Sequence, residues 1–378
     1  MSIYLDSAAT TKPCAACIQA IHSALETQYG NPSSLHTLGL EAELTVSAAR
    51  KQVAAALHCL PENLTFTSGA TESNHLAIRG AAAAYGKRKK RVITTTVEHA
   101  SVRAAFDKLE EAGFTVIRVA PRADGVLYAE DIVSAVDGDT CLVSMMLVNN
   151  ETGAVLPVAE SFAQIKRAYP QVITHCDAVQ GFLKLTFTPE KLSADLLTVS
   201  GHKVHAAKGV GALCHKKGIR LVPLLTGGEQ EGGLRAGTES VPLIAGFGAA
   251  CASLTDVSAR YERMCALKSE AAAMLSAIGG VTVQSPENGS PYILSFSVKG
   301  LRSETMLHFL AERGIYVSSG SACSKGKQSG VLEQFGISQS AADSTLRVSF
   351  CAENTADDIA ALCDALREAQ EKLVHKKG

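Results

Sequence analysis

DLLTVSGHKVHAAKGVG, residues 195–211, runs from an apolar strand through a turn into a glycine-rich tail, with Lys203 at the turn. Leu196, Leu197 and Val199 have the spacing of a buried strand; Ser200, Gly201 and His202 turn the chain, and Gly209 and Gly211 let backbone pass close to a neighbour. An ammonium at the end of a buried strand must be paired, deprotonated or covalently bound. Taken alone, a lysine of this kind is more often a loop residue whose charge sits in water, so the rest of the chain decides its role.

Upstream, from Asn63 to Val199, short apolar runs alternate with longer amphipathic segments, the pattern of βα units around a parallel sheet. Strands are expected at 64–68, 91–96, 114–119, 140–148, 171–177 and 196–200, and VGALCH at 210–215 is expected to close the sheet. Helical spacing fills the gaps at 75–85, 101–112 and 158–169. Downstream, 240–278 reads as an alanine-rich helical connector across the large domain, and the chain after Gly279 as a smaller α+β domain. The expected fold is α/β, with a large domain at 31–255, a small C-terminal domain at 256–378, and residues 1–30 beside the small domain or over the cleft. In open α/β sheets ligands bind outside the carboxyl ends of the strands. That rule gathers Ser68 to Thr71, Glu98 and His99, Asn149 to Glu151, Asp177 to Gln180 and Ser200 to Lys203 around one pocket.

Composition removes whole classes of function. The chain has 378 residues, 46% of them hydrophobic, and a net charge of -1, so it lacks the basic field of general nucleic-acid binding. No stretch approaches the roughly 18 apolar residues of a membrane span, and MSIYLDSAATTK is not a secretory leader. A cytoplasmic protein is expected. Eleven cysteines then read as free thiols, and Cys14-x-x-Cys17 has no second ligand pair at metal-site spacing, so no metal is expected.

SGATESN at 68–74 sits between a strand and a helix, where free N–H groups and hydroxyls can hold a phosphate, although Thr71 and Glu72 also suit a plain helix start. Asp177 ends an apolar strand and needs a cationic partner or a cap to make. A lysine for an aldehyde, an acid for a pyridinium nitrogen and a helix N-terminus for a phosphate are together what pyridoxal phosphate requires. His99 suits ring stacking or proton movement, or else a helix start. Arg347, inside the strand TLRVSF, is a fork for a substrate carboxylate or half of an internal salt bridge. SSGSACSKGKQSG at 318–330 is small and polar around one thiol, Cys323, with Lys325 and Lys327 near enough to favour its thiolate.

YLDSAATT at 4–11, GNPSS at 30–34, FTSGATESN at 66–74, EHAS at 98–101, VNNETG at 148–153, HCDAVQ at 175–180, SGHK at 200–203, RAGTE at 235–239, SSGSAC at 318–323 and TLRVSF at 345–350 follow one another along nearly the whole chain. In this order they resemble the cysteine desulfurases of the NifS/IscS type, pyridoxal-phosphate enzymes of fold type I in the class V aminotransferase family. The resemblance implies that Lys203 bonds the cofactor aldehyde, Asp177 pairs with the ring nitrogen, Gln180 and Asn150 lie near the ring oxygen, and His99 stacks on the ring and acts in acid/base steps. It places the phosphate on Ala70, Thr71, Ser200 and His202, with Thr238 reaching across from a second subunit of a homodimer. Arg347 and Asn31 would take the carboxylate of L-cysteine; Cys323 would collect the sulfur as a persulfide, release alanine and pass the sulfur to an acceptor such as an iron–sulfur scaffold. Two departures stand out: Ala206-Ala207 replaces the family's glycine-proline pair, and Cys351 replaces a glycine as a bystander or a second thiol. The rival readings are a selenocysteine lyase, another fold-type-I lyase or aminotransferase, and a non-enzymatic scaffold on the same fold.

Overall fold

The computed structural model describes residues 2–319 and 330–373. In its first half the chain runs β1 (Ile3–Tyr4), α1 (Ala15–Thr27), α2 (Thr37–Leu57), β2 (Leu64–Thr67), α3 (Ala70–Tyr85), β3 (Arg91–Thr95), α4 (Ala100–Glu111), β4 (Thr115–Val119), α5 (Ala129–Ser134), β5 (Thr140–Met146) and α6 (Val158–Ala168). Next come β6 (Ile173–Asp177), β7 (Leu196–Ser200), β8 (Gly211–His215), α7 (Val241–Ser253), α8 (Val257–Ser276), β9 (Val281–Val283) and β10 (Ile293–Val298). The last third holds α9 (Ser303–Ala311), β11 (Ile315–Tyr316), β12 (Ser318–Ser319), α10 (Val331–Gln334), α11 (Gln339–Asp343), β13 (Thr345–Ser349) and α12 (Ala356–Lys372).

Seven strands form the main sheet in the order β2-β8-β7-β6-β5-β3-β4. All seven residues of β5 and all five of β7 are buried, as the near-continuous apolar runs of a sheet covered on both faces require. Their alternation sorts the side chains. Val92, Leu142, Leu196 and Leu213 meet Leu76, Val102 and Phe106 of α3 and α4. On the other face Ile93, Val143, Leu197 and Ala212 meet Val46, Phe162 and Phe247 of α2, α6 and α7. The strand 211–215 does not close the sheet: β8 lies inside it, antiparallel to both β2 and β7, and β2 takes the edge. A short return from the Lys203 turn allows only this hairpin-like pairing.

A four-stranded antiparallel sheet, β12-β13-β10-β9, builds the second layer with α8, α9 and α12 around Leu294, Phe296, Val348 and Leu366. The stretch 240–278 is not one connector. α7 and α8 meet at a bend of 77°, where Asp256 takes φ 54° and its carboxylate caps Ala259 N. α7, apolar on nearly every side, is buried with the main sheet, whereas α8 packs Met264, Leu267 and Leu275 into the second cluster. Residues 3–27 divide between the two: β1 pairs in parallel with β11 and Leu5 enters the second cluster, while Cys17 and Ala24 of α1 pack in the first. Between them, residues 6–11 run along the seam. Among the described residues no single helix is long and apolar enough to cross a membrane.

Candidate active site

A cavity of about 620 Å³ opens at the carboxyl ends of β5, β6 and β7. At one end β2 turns into α3 through Ser68 and Gly69. Gly69 adopts φ 148°, which side chains disfavour, and a Cβ on Gly211 would lie 2.7 Å from Gly69 Cα, so the turn and β8 meet only as glycines. The turn aims the first N–H groups of a 16-residue helix into the cavity beside Ala70 and Thr71. Opposite lies Ser200, whose hydroxyl is buried without a hydrogen-bond partner. His202 completes this end, held to Thr10 Oγ1 at 3.3 Å; burial first and Lys203 next push its imidazole down to about 4.

Asp177 closes β6 with 5% exposure. Its two hydrogen bonds come from neutral donors, Asn74 Nδ2 at 2.8 Å and Val179 N at 3.1 Å. It thus caps a turn and also faces the cavity. Asn74 Nδ2 also donates to Ser101 Oγ at 2.9 Å, and that hydroxyl lies 2.8 Å from His99 Nδ1, which accepts from Ser101 N. This network makes Nδ1 an acceptor, so the neutral ring carries its proton on Nε2. His99 is both the N-cap of α4 and a wall of the cavity, and burial, more than any charge, lowers its pKa.

Lys203 reaches in from the turn after β7 and donates to Ala8 O at 2.6 Å and Ala9 O at 2.7 Å. Burial and then Arg347 push its amine down to about 8, against Asp6 and Asp177. Lys208, the other lysine of the stretch, is exposed at the cavity edge. The turn itself is pinned from the N-terminal segment: Thr11 Oγ1 donates to His202 O at 2.9 Å and accepts from His205 N at 2.7 Å. At the Ala206-Ala207 departure the chain turns through His205 at φ 59°.

Arg347 enters from β13. Its Nη1 donates to Asn150 O and its Nη2 to Asp6 Oδ1, both at 2.8 Å, and its buried Nε has no partner. The salt bridge to Asp6 is present, and Nε is the nitrogen of the guanidinium left without a partner among the described residues. Gln180 Nε2 donates to Ala8 O at 2.9 Å. The cavity thus gathers Ala70, Thr71, His99, Asn150, Asp177, Gln180, Ser200, His202, Lys203 and Arg347. Asn31 and Thr238 are exposed and do not line it. Cys323 lies outside the described residues. Asp6, Asn74 and the carbonyls of Ala8 and Ala9 have roles that side-chain chemistry did not single out; YLDSAATT and FTSGATESN marked their neighbourhoods, but a backbone oxygen leaves no signature.

This donor set fits pyridoxal phosphate. One end supplies neutral donors and a partnerless hydroxyl for a phosphate, the other a buried carboxylate with only neutral donors for a protonated ring nitrogen, and a lysine of depressed pKa lies between them.

Residues 3–362 match the sequence pattern of the family Aminotransferase class-V. The chain belongs to this family. Class-V members are pyridoxal-phosphate dependent, in accord with the cavity. The chain is 39% identical to a NifS/IcsS protein homolog of Lactobacillus delbrueckii subsp. bulgaricus, with 99% of each chain covered. It is 38% identical to a cysteine desulfurase of Trichormus azollae, covering 98% of this chain and 93% of that one. A solved structure of a NifS-like protein superposes with a TM-score of 0.93 at 35% identity, over 99% of this class-V chain and all of the other.

Proposed function

We propose that the chain is a cysteine desulfurase: L-cysteine and an enzyme thiol give L-alanine and an enzyme persulfide. One sulfur atom changes partner, the thiol proton and the substrate's proton are redistributed between the products, and no outside oxidant is needed. The observation that carries the reading is the placing of Lys203, Asp177 and Arg347 around one cavity; the names of the relatives at 38–39% identity support it.

Arg347 binds the substrate carboxylate through its partnerless Nε edge, with Asp6 and Asn150 O fixing the plane of the guanidinium. Ala70, Thr71, Ser200 and His202 would hold the phosphate, Asp177 would pair with the ring nitrogen, and Gln180 and Asn150 would serve the ring oxygen. Pyridoxal phosphate, when bound, supplies an electron sink for negative charge developing on the substrate. Lys203 Nζ, free of its proton above about pH 8, takes and returns protons at the substrate carbon. His99 presents Nε2–H toward the same space, and Cys323 receives the sulfur.

One assay tests the reading: alanine formed from L-cysteine in the presence of a thiol, with no keto-acid added. Alanine in equal amount to the sulfide supports it, and a requirement for keto-acid would make the chain an aminotransferase. The same assay with selenocysteine separates a selenocysteine lyase.

A homodimer is part of this proposal. Large apolar side chains stay exposed from α1 into α2, among them Leu25, Tyr29, Leu35, Leu40 and Leu44, with Leu35 fully exposed. A partner would cover them and bring Thr238 to the phosphate end of the neighbouring cavity. Sedimentation is expected to give a dimer for the wild type and a monomer for Tyr29→Glu/Leu35→Glu, and a double variant that stays dimeric would place the interface elsewhere. An iron–sulfur scaffold as acceptor, a cytoplasmic location, and a large unit of 31–255 beside a small unit of 256–378, with residues 1–30 divided between the two cores, complete the proposal. The free state of all ten described cysteines supports a reducing compartment.

A further inference from the structure

Lys184 is the most deeply buried ammonium-bearing side chain near the cavity that the proposed chemistry leaves unused. It is 7% exposed, and among the described residues no carboxylate forms an ion pair with it. A small second cavity of about 40 Å³ lies behind Lys203, and Lys184 lines it together with Tyr292, Arg260, Arg263 and Cys351. These neighbours offer further cations, an aromatic face 5.8 Å from Nζ and a thiol. Such a site costs a charged lysine several kcal/mol unless it sheds its proton. Burial, then Lys203, accordingly push the Lys184 amine down to about 7, with Cys351 opposing.

One polar contact accounts for its presence. Lys184 Nζ donates to Gln180 Oε1 at 3.2 Å, four residues back along a turn stabilised by Phe182 N to Ala178 O and Leu185 N to Gly181 O. At the other end of the same amide, Gln180 Nε2 donates to Ala8 O, the carbonyl that also receives Lys203 Nζ. A donor at one end and an acceptor at the other leave the amide a single orientation. The second N–H of Nε2 is then free to donate, and Gln180 lines the large cavity.

We propose that Lys184 is a positioning residue: through its bond to Gln180 Oε1 it holds the Gln180 amide with an N–H donor facing the cofactor's ring oxygen. The inference rests on the pyridoxal-phosphate reading above. A neutral amine donates as well as an ammonium does, so the role needs no charge, and the buried site needs no counter-ion. Loss of Lys184 leaves Oε1 a buried acceptor without a donor and frees the amide to turn.

The test compares holoenzymes of the wild type, Lys184→Met, Lys184→Gln, Gln180→Leu and the double variant Gln180→Leu/Lys184→Met. Lys184→Met is expected to melt close to the wild-type temperature, because removing the buried amine offsets the orphaned Gln180 Oε1. It is also expected to bind pyridoxal phosphate about tenfold more weakly and to shift the pH midpoint of the bound cofactor's visible band. Lys184→Gln restores an N–H donor and should recover both to within about threefold of wild type. In the Gln180→Leu background, Lys184→Met should add no further loss, since the two residues act as one unit. A Lys184→Met variant with wild-type affinity and band midpoint overturns the proposal. So does a loss of equal size with and without Gln180, or a Lys184→Gln variant as impaired as Lys184→Met. Failure of the underlying reading would instead show in the wild type, as an absent cofactor band.

Discussion

Lys203→Ala is expected to purify without the visible absorbance of bound cofactor and to form alanine from L-cysteine at least about 10³-fold more slowly than the wild type. The expectation follows from the geometry of the turn. Among the described residues Lys203 Nζ is the amine held between the phosphate end and the carboxylate end of the cavity, and Lys208, further along the same glycine-rich stretch, is exposed at the rim. The alanine variant should fold, because the side chain's hydrogen bonds end on two carbonyls, Ala8 O and Ala9 O, and carry no packing load. Far-ultraviolet dichroism and the melting temperature check this directly. An unchanged visible band in Lys203→Ala would overturn the assignment of the lysine. The pH dependence has a definite sign. With its folded pKa lowered from the ordinary 10.5 to about 8, Lys203 is protonated below that pH and a free amine above it. Reconstitution of cofactor-free wild type with pyridoxal phosphate should therefore accelerate as pH rises toward about 8 and level off beyond it. A rate that keeps rising to pH 10 would show that the cavity does not depress the amine.

The part of this site that could be read in advance is the part carried by side chains at strand ends. Asp177, Ser200, Lys203, His99 and Thr71 each follow a short apolar run, and a parallel sheet brings such positions together whatever the intervening lengths. The structural alternatives hold for both residues: His99 caps α4, and Arg347 is tied to Asp6, while both line the cavity. What stayed hidden is of three kinds. Backbone contributions such as Ala8 O and Ala9 O have no residue-type signal. The place of β8 within the sheet depends on pairing direction, which an apolar run of five residues does not encode. The break between α7 and α8 sits in Leu254 to Asp256, where neither glycine nor proline punctuates the sequence; Asp256 supplies the stop through a left-handed cap. Glu98 belongs with these. It lies beside His99 in the chain, yet its carboxyl is buried among Thr95 and Met146 N, with Oε2 partnerless, and burial pushes it up to about 8.

Cys323→Ser separates the two halves of the proposed reaction, because the groups that hold the cofactor are all elsewhere. Ala70, Thr71, Asp177, Ser200 and Lys203 belong to the main sheet and its turns, whereas Cys323 lies outside the described residues, after β12, the short edge strand that pairs with β13 at Arg347. Ser318 and Ser319 of β12 line the large cavity, so the chain enters the following segment from the substrate end. A thiolate can take the substrate sulfur, whereas a hydroxyl in its place has neither the acidity nor the sulfur nucleophilicity to do so. The serine variant should keep the wild-type cofactor band and still perturb it on addition of L-cysteine, since Arg347 and Lys203 are untouched. It should form no protein persulfide and lose at least about 10³-fold in alanine production. Mass spectrometry of the intact chain after a single turnover reads the difference: one added sulfur, 32 Da, on the wild type and none on the variant. A variant that still gains the sulfur would transfer the role to another thiol, and Cys351, partly exposed, lines the small cavity together with Lys203 and Lys184. Cys351→Ser serves as the control: with Cys323 intact it should form persulfide at the wild-type rate, and a loss there equal to that of Cys323→Ser would make Cys351 the acceptor instead.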